Sequence, residues 1–115
     1  MKYIQTIENM YNKALEKGEA TLNGRMKEFN YGHTYVGDLE EKYYIQVTEN
    51  EVILRHWGTE TLRVNRHSKE IVNWYGVGRS DADSMNTLLD LIGNKETYFR
   101  YGPVKGFVAD KMDFA

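Results

Sequence analysis

Cysteine is absent from all 115 residues. That excludes disulfides, thiolate metal sites and a cysteine nucleophile. No apolar run approaches the roughly 20 residues of a membrane span. The roughly 7–15-residue apolar core of a secretory signal is also missing, because the opening MKYIQTIENMYNKALEKG alternates polar and apolar residues. The expected location is therefore the cytoplasm, with no membrane partner. Basic charge is not in excess: 15 Lys and Arg stand against 17 Asp and Glu, a net charge of −2. A duplex-binding protein carries a basic footprint, so direct nucleic-acid binding is not expected. Histidine is scarce, and His33, His56 and His67 show neither the i, i+2 nor the i, i+4 spacing of a local metal site. No metal and no cofactor are expected.

What the chain does contain is pattern. Its length suits one globular domain over residues 1–115. Tyr3, Ile4, Ile7, Met10, Tyr11, Ala14 and Leu15 fall on one arc at about 100° per residue, which predicts an N-terminal helix. Gly18 suits its C′ position. Asn23-Gly24 is the dipeptide of a type I′ turn, so residues 19–22 and 25–29 are predicted to form a hairpin around it. Residues 30–42 read as a loop, with at most a short strand at 33–36.

The firmest signal follows. Ile45 and Val47 alternate with polar neighbours. A tight turn at Glu49-Asn50 would set Val47 opposite Val52 and Ile45 opposite Leu54. Opposed residues of an antiparallel pair share a face. A turn around Trp57-Gly58-Thr59 adds Leu62 and Val64, and a turn at His67-Ser68-Lys69 adds Val72 and Trp74. A one-residue slip at any turn would break this agreement. A second helix then starts at Ser80 or Asp81 in a capping-box-like run. Ala82, Met85, Leu88, Leu89 and Ile92 form its stripe, and Gly93 ends it. Residues 97–101 and 105–108 read as short strands, with the single proline, Pro103, between them. The fold class is α+β: an antiparallel meander of about four to six strands, an N-terminal helix, and a second helix after the meander.

Few residues point to chemistry. Gly76-Val77-Gly78-Arg79-Ser80-Asp81 joins a strand to a helix start. Backbone N–H groups there can hold an anion with help from Arg79. Gly76, Gly78, Arg79 and Ser80 are thus candidates for a small-ligand or nucleotide site. The Gly-Lys-Ser/Thr ending of a phosphate-binding loop is missing, and Asp81 and Asp83 oppose an anion; a tight capped turn explains the same residues. His56 ends a strand beside Trp57 and within reach of Glu60. A structural histidine is the simpler account, and a small hydrolase pairing His56 with Ser80 is a third reading, weakened because capping explains Ser80. Aromatics reach 13%, with nine tyrosines. Tyrosine is favoured at interfaces, and Tyr35, Tyr44 and Tyr101 are candidate anchors for a partner.

His56-Trp57-Gly58-Thr59, Tyr75-Gly76, Ser80-Asp81, Asn86, Leu88-Leu89 and Gly93 together resemble a small family of uncharacterised proteins from phages and other mobile elements. The resemblance covers about the central third of the chain. It implies an origin; families of this kind include host-modulating proteins, among them anti-CRISPR proteins. The resulting expectation is a non-enzymatic protein in a bacterial host's cytoplasm. It would bind and inhibit a host macromolecule such as a CRISPR effector complex, as a monomer or a homodimer. The alternative is a small-ligand module using the turn that ends at Asp81.

Overall fold

A computed structural model describes the backbone of residues 2–30, 32–101 and 107–111, and the side chains of residues 4–24 and 39–100. Its elements in chain order are α1 (Lys2–Lys17), β1 (Glu19–Asn30), β2 (Gly32–Val47), β3 (Glu51–His56), β4 (Thr59–Asn65), β5 (Ile71–Trp74), α2 (Arg79–Ile92), β6 (Thr97–Tyr101) and β7 (Phe107–Lys111). Strands β1 to β5 form one antiparallel sheet in sequence order, and β6 and β7 pair separately. The architecture is α+β, with the second helix after the meander, as the sequence pattern requires.

The register follows from the alternation. Val47 opposes Val52 and Ile45 opposes Leu54; Val52 then opposes Val64 and Leu54 opposes Leu62. Ile45, Val52, Leu54, Leu62 and Val64 are fully buried. Both helices cover this face. Ile7, Met10 and Ala14 of α1 and Ala82, Met85, Leu88, Leu89 and Ile92 of α2 complete the core with Tyr43 and Phe99. The α1 stripe is narrower than its arc predicts, since Ile4 and Leu15 are exposed. Gly18 and Gly93 end the helices at φ 91° and 103°, a left-handed geometry that a Cβ disfavours. Asn86 of α2 docks β6: its side chain accepts from the Phe99 N–H and donates to the Phe99 carbonyl, both at 2.7 Å.

Three expectations fail, each for a physical reason. Asn23-Gly24 makes no turn. It lies inside β1, flanked by register shifts at Leu22/Asn23 and Gly24/Met26. A Cβ at Gly24 would come within 3.2 Å of the Lys42 side chain and 3.6 Å of Trp57, so this glycine serves close approach rather than positive φ. Residues 32–42 are no loop, because they belong to β2, which pairs with β1 from Glu19↔Gln46 to Asn30↔Gly32. Val72 does not join the core. An irregularity between Arg63 and Val64 sets Val64 opposite Ile71, and Val72 is left 55% exposed. Trp74 does oppose Leu62, but β5 is the sheet's edge. The indole is 39% exposed and lies against Phe99 at 5.0 Å.

The reverse face is a charge ladder. Arg55 grips Glu41 through two bonds of 3.0 Å. Arg63 bridges Glu51 at 2.6 Å and Glu60 at 2.7 Å. Ile53 is buried among these long side chains, whose stems can cover apolar surface while their heads stay wet.

Core and edge predict different costs. Leu54→Ala should lower unfolding stability by about 2–5 kcal/mol, as buried truncations do. Val72→Ala should change it by no more than about 0.5 kcal/mol. Urea melts of both variants check the register, and equal losses would refute it.

Candidate functional site

The β3–β4 connection is a two-residue turn with Trp57 at φ 51° and Gly58 at φ 80°, and His56 pairs with Thr59 across it. Positive φ at both central residues is the type I′ requirement, which matches the twist of the flanking strands. Gly58 meets it freely. Trp57 does not, since a bulky residue is strained in this region.

The turn brings His56 beside the start of α2. Gly78 is the N-cap of that helix. Asp81, one turn in, accepts hydrogen bonds from the backbone N–H of Val77 at 3.0 Å and of Gly78 at 3.3 Å through Oδ2. Its other oxygen, Oδ1, lies 2.6 Å from His56 Nδ1. Both side chains are buried. The Tyr43 ring stacks on the imidazole with centroids 4.4 Å apart and planes 6° from parallel. Burial pushes the Asp81 carboxyl up, but the His56 hydrogen bond and the Val77 and Gly78 N–H groups outweigh it, so its pKa falls below the usual carboxylate value. Ionised Asp81 can only accept. His56 therefore carries a proton on Nδ1, and Nε2 has no hydrogen-bond partner among the described residues.

Beside this pair lies a cleft of about 370 Å³. Trp57 and Tyr75 supply aromatic walls, Thr59, Thr61 and Ser80 supply hydroxyls, and His56, Val77, Gly78 and Asp81 complete the lining. A His–Asp pair with a spare ring nitrogen can take a hydrogen bond or a proton from a bound molecule. No hydroxyl of the cleft hydrogen-bonds that nitrogen among the described residues. Nor do the described residues hold a cluster of three His, Asp or Glu suited to a metal ion.

The predicted ligand residues divide. Gly78 and Ser80 line the cleft; Gly76 and Arg79 do not. Ser80 is not the cap: α2 starts one residue earlier, and the Ser80 carbonyl accepts from Ser84 Oγ at 2.9 Å. Two of the N–H groups expected to cradle an anion already donate to Asp81. Of the tyrosine anchors, Tyr44 is tied down. Its hydroxyl donates to Glu19 at 2.7 Å, which raises its pKa, and Arg55 lies 4.1 Å from its ring centroid. The side chains of Tyr35 and Tyr101 lie outside the described residues. The role of Asp81 toward His56, and Trp57, Thr59, Thr61 and Tyr75 as cleft walls, were missed. The positive-φ demand on Trp57 was the one local signal available.

No protein-family model, curated protein or solved structure matches the chain. No helix of the described residues is long and apolar enough to cross a membrane.

The Asp81 pair fixes a pH dependence. A carboxyl whose folded pKa lies below its unfolded value of about 3.9 adds stability above that value, which is lost as pH falls through the folded pKa. Asp81→Asn cannot titrate, so the acid limb of stability against pH should flatten relative to wild type below about pH 4. At neutral pH the variant should lose about 1–3 kcal/mol, the cost of unmade hydrogen bonds. Urea melts between acid and neutral pH check both statements, and parallel acid limbs would refute the first.

Proposed function

We propose that the protein is a binding module whose cleft beside the α2 N-terminus takes a small flat ligand bearing an N–H or O–H donor, the chemistry of a nucleobase. One observation carries this reading: Asp81 occupies Nδ1 of His56, Nε2 has no hydrogen-bond partner among the described residues, and His56 lines a cleft walled by Trp57 and Tyr75. Small-molecule sites are concave, mostly apolar and furnished with a few placed polar groups. Stacking on aromatic side chains contributes about 1–3 kcal/mol per base. The phosphate of a nucleotide fits the site poorly, because the carboxylate of Asp81 holds the first turn of α2. The base is thus the recognised part, a revision of the anion-holding turn expected from Gly76 and Arg79.

A second reading keeps the protein partner. Val72, Trp74, Tyr75, Val77 and Tyr98 are exposed along the edge strand and the segments beside it. Scattered exposed apolar residues are ordinary, but grouped ones mark interaction sites. This surface, not Tyr44, is the candidate for partner capture. That the partner would be a bacterial defence enzyme rests on the sequence resemblance alone.

Titration with the common nucleosides, followed by tryptophan fluorescence and amide shifts, separates the two. Tyr75 is 53% exposed, so Tyr75→Ala should stay folded yet weaken binding at least about tenfold, or roughly 1.4 kcal/mol. Arg79→Ala should bind like wild type. Saturation that is insensitive to Tyr75→Ala, or no saturation with any nucleoside, would sink the cleft reading. Capture of a protein that is lost in Val72→Ala and Tyr98→Ala would replace it with the second.

A further inference from the structure

α2 has 14 residues, a length of about 21 Å at ~1.5 Å per residue. A second cavity, of about 220 Å³, lies at its far end, independent of the cleft. Its lining is Tyr11 of α1, Val52 of β3, Ile92 of α2, and Arg66, His67 and Lys69 of the β4–β5 turn. No Asp or Glu lines it, although Glu49 and Glu70 are close in the chain. We propose that this cavity binds a phosphate group, either as free phosphate or as part of a small phosphate monoester.

Charge is the first argument. The chain is net negative, and the arginines of the reverse face are each paired: Arg55 with Glu41, and Arg63 with Glu51 and Glu60. Arg66 is different. Its guanidinium donates to the Thr48 carbonyl at 2.7 Å, and no carboxylate pairs with it among the described residues. Arg66 and Lys69 place two cationic residues on one cavity lining, and like charges repel unless an anion sits between them. Guanidinium and ammonium groups are the usual phosphate holders.

Rigidity is the second argument. The backbone N–H of Arg66 donates to the Asn50 carbonyl at 2.8 Å, and that of Lys69 to the Asn65 carbonyl at 2.9 Å. Asn65 Oδ1 accepts from the N–H groups of His67 and Ser68 at 2.8 and 2.9 Å. Asn94, just past α2, donates to the Lys69 carbonyl at 2.7 Å. His67 Nε2 lies 3.1 Å from the Glu49 carbonyl. The basic groups therefore stand on a fixed loop, so little ordering remains to oppose binding.

Strain is the third. Only two non-glycine residues of the described chain have positive φ: Trp57, and Lys69 at φ 66°. Each lines a cavity. Glycine or asparagine would occupy such a position with less strain. Strained residues gather at ligand sites, and here the strained residue is a lysine on the cavity lining. Tyr11 completes the wall. Burial raises its pKa against the opposing pull of Arg66, so its hydroxyl remains a donor at neutral pH.

The test is calorimetric titration of the full chain with inorganic phosphate and with glycerol 3-phosphate at low ionic strength. Saturable binding with a Kd of about 1 mM or tighter is expected for at least one probe, weakening as sodium chloride screens the charges. Lys69→Gly is the decisive variant. It removes the ammonium and relieves the positive φ, so it should melt no lower than wild type while losing at least about tenfold in affinity. Arg66→Gln should lose as much. Lys13→Gln, on the exposed side of α1, should change nothing. Tighter binding of glycerol 3-phosphate would name a phosphate monoester as occupant, and equal binding would name phosphate itself. Unaltered affinity in Lys69→Gly, an equal loss in Lys13→Gln, or no saturation with either probe up to about 10 mM would overturn the proposal.

Discussion

The short contact between His56 Nδ1 and Asp81 Oδ1 joins the end of β3 to the first turn of α2. Each partner also serves its own element. Asp81 accepts the N–H of Gly78, the N-cap that the helix leaves without an intrahelical acceptor, and that of Val77 just before it. His56 closes the β3–β4 hairpin and stacks on the core tyrosine, Tyr43. One buried carboxylate thus fixes where the helix begins, which tautomer the imidazole adopts and how the sheet meets the helix. It also decides what the adjacent cleft can bind. A carboxylate bonded to two backbone donors occupies the place an anion would take, and the second imidazole nitrogen has no hydrogen-bond partner among the described residues.

Among the described residues, backbone strain lies at hairpin turns. Trp57 and Lys69 both sit in the left-handed region, where most side chains collide with their own backbone. Each is held there by its surroundings. The Trp57 N–H donates to the Lys42 carbonyl at 2.8 Å, and the Lys69 N–H to the Asn65 carbonyl. The two residues border cavities at opposite ends of α2. The same sheet-and-helix layer therefore presents an aromatic cleft at one end and a basic one at the other.

On the reverse face of the sheet the described arginines are matched by acids. Arg55 meets Glu41 and Arg63 meets Glu51 across neighbouring strands, and Arg63 also meets Glu60 three residues back on its own strand. Exposed pairs of this kind contribute little each, about 0–1 kcal/mol, but they cancel the local field. Arg66, also beyond this ladder, has no carboxylate partner among the described residues; its turn carries it to the helix-covered side of the sheet, beside Tyr11 and Ile92.

The sequence by itself determined the β2–β3–β4 part of the meander and the stripe of α2, but not the β4–β5 register. Alternation of period two with turn residues at fixed offsets admits one register, and Ile45, Val52, Leu54, Leu62 and Val64 are buried in that register. Ala82, Met85, Leu88, Leu89 and Ile92 show the same for a period of 3.6. Both are short-range patterns, legible because the constraint lies within a few residues. Asn23-Gly24 misled for the converse reason. A local turn preference of this size yields to the pairing of β1 with β2, whose partners lie up to 27 residues apart, as Glu19 and Gln46 do. The candidate site was half legible. The Trp57-Gly58 turn and an acid in the first turn of α2 were visible, and Gly78 and Ser80 do border the cleft. That His56 and Asp81 would meet across 25 residues of chain was not visible, because no spacing rule governs two groups brought together only by packing a helix on a sheet. Tertiary structure alone decided the cleft, its free nitrogen and the basic cavity, since each is built from elements whose relative placement is set by the shared core.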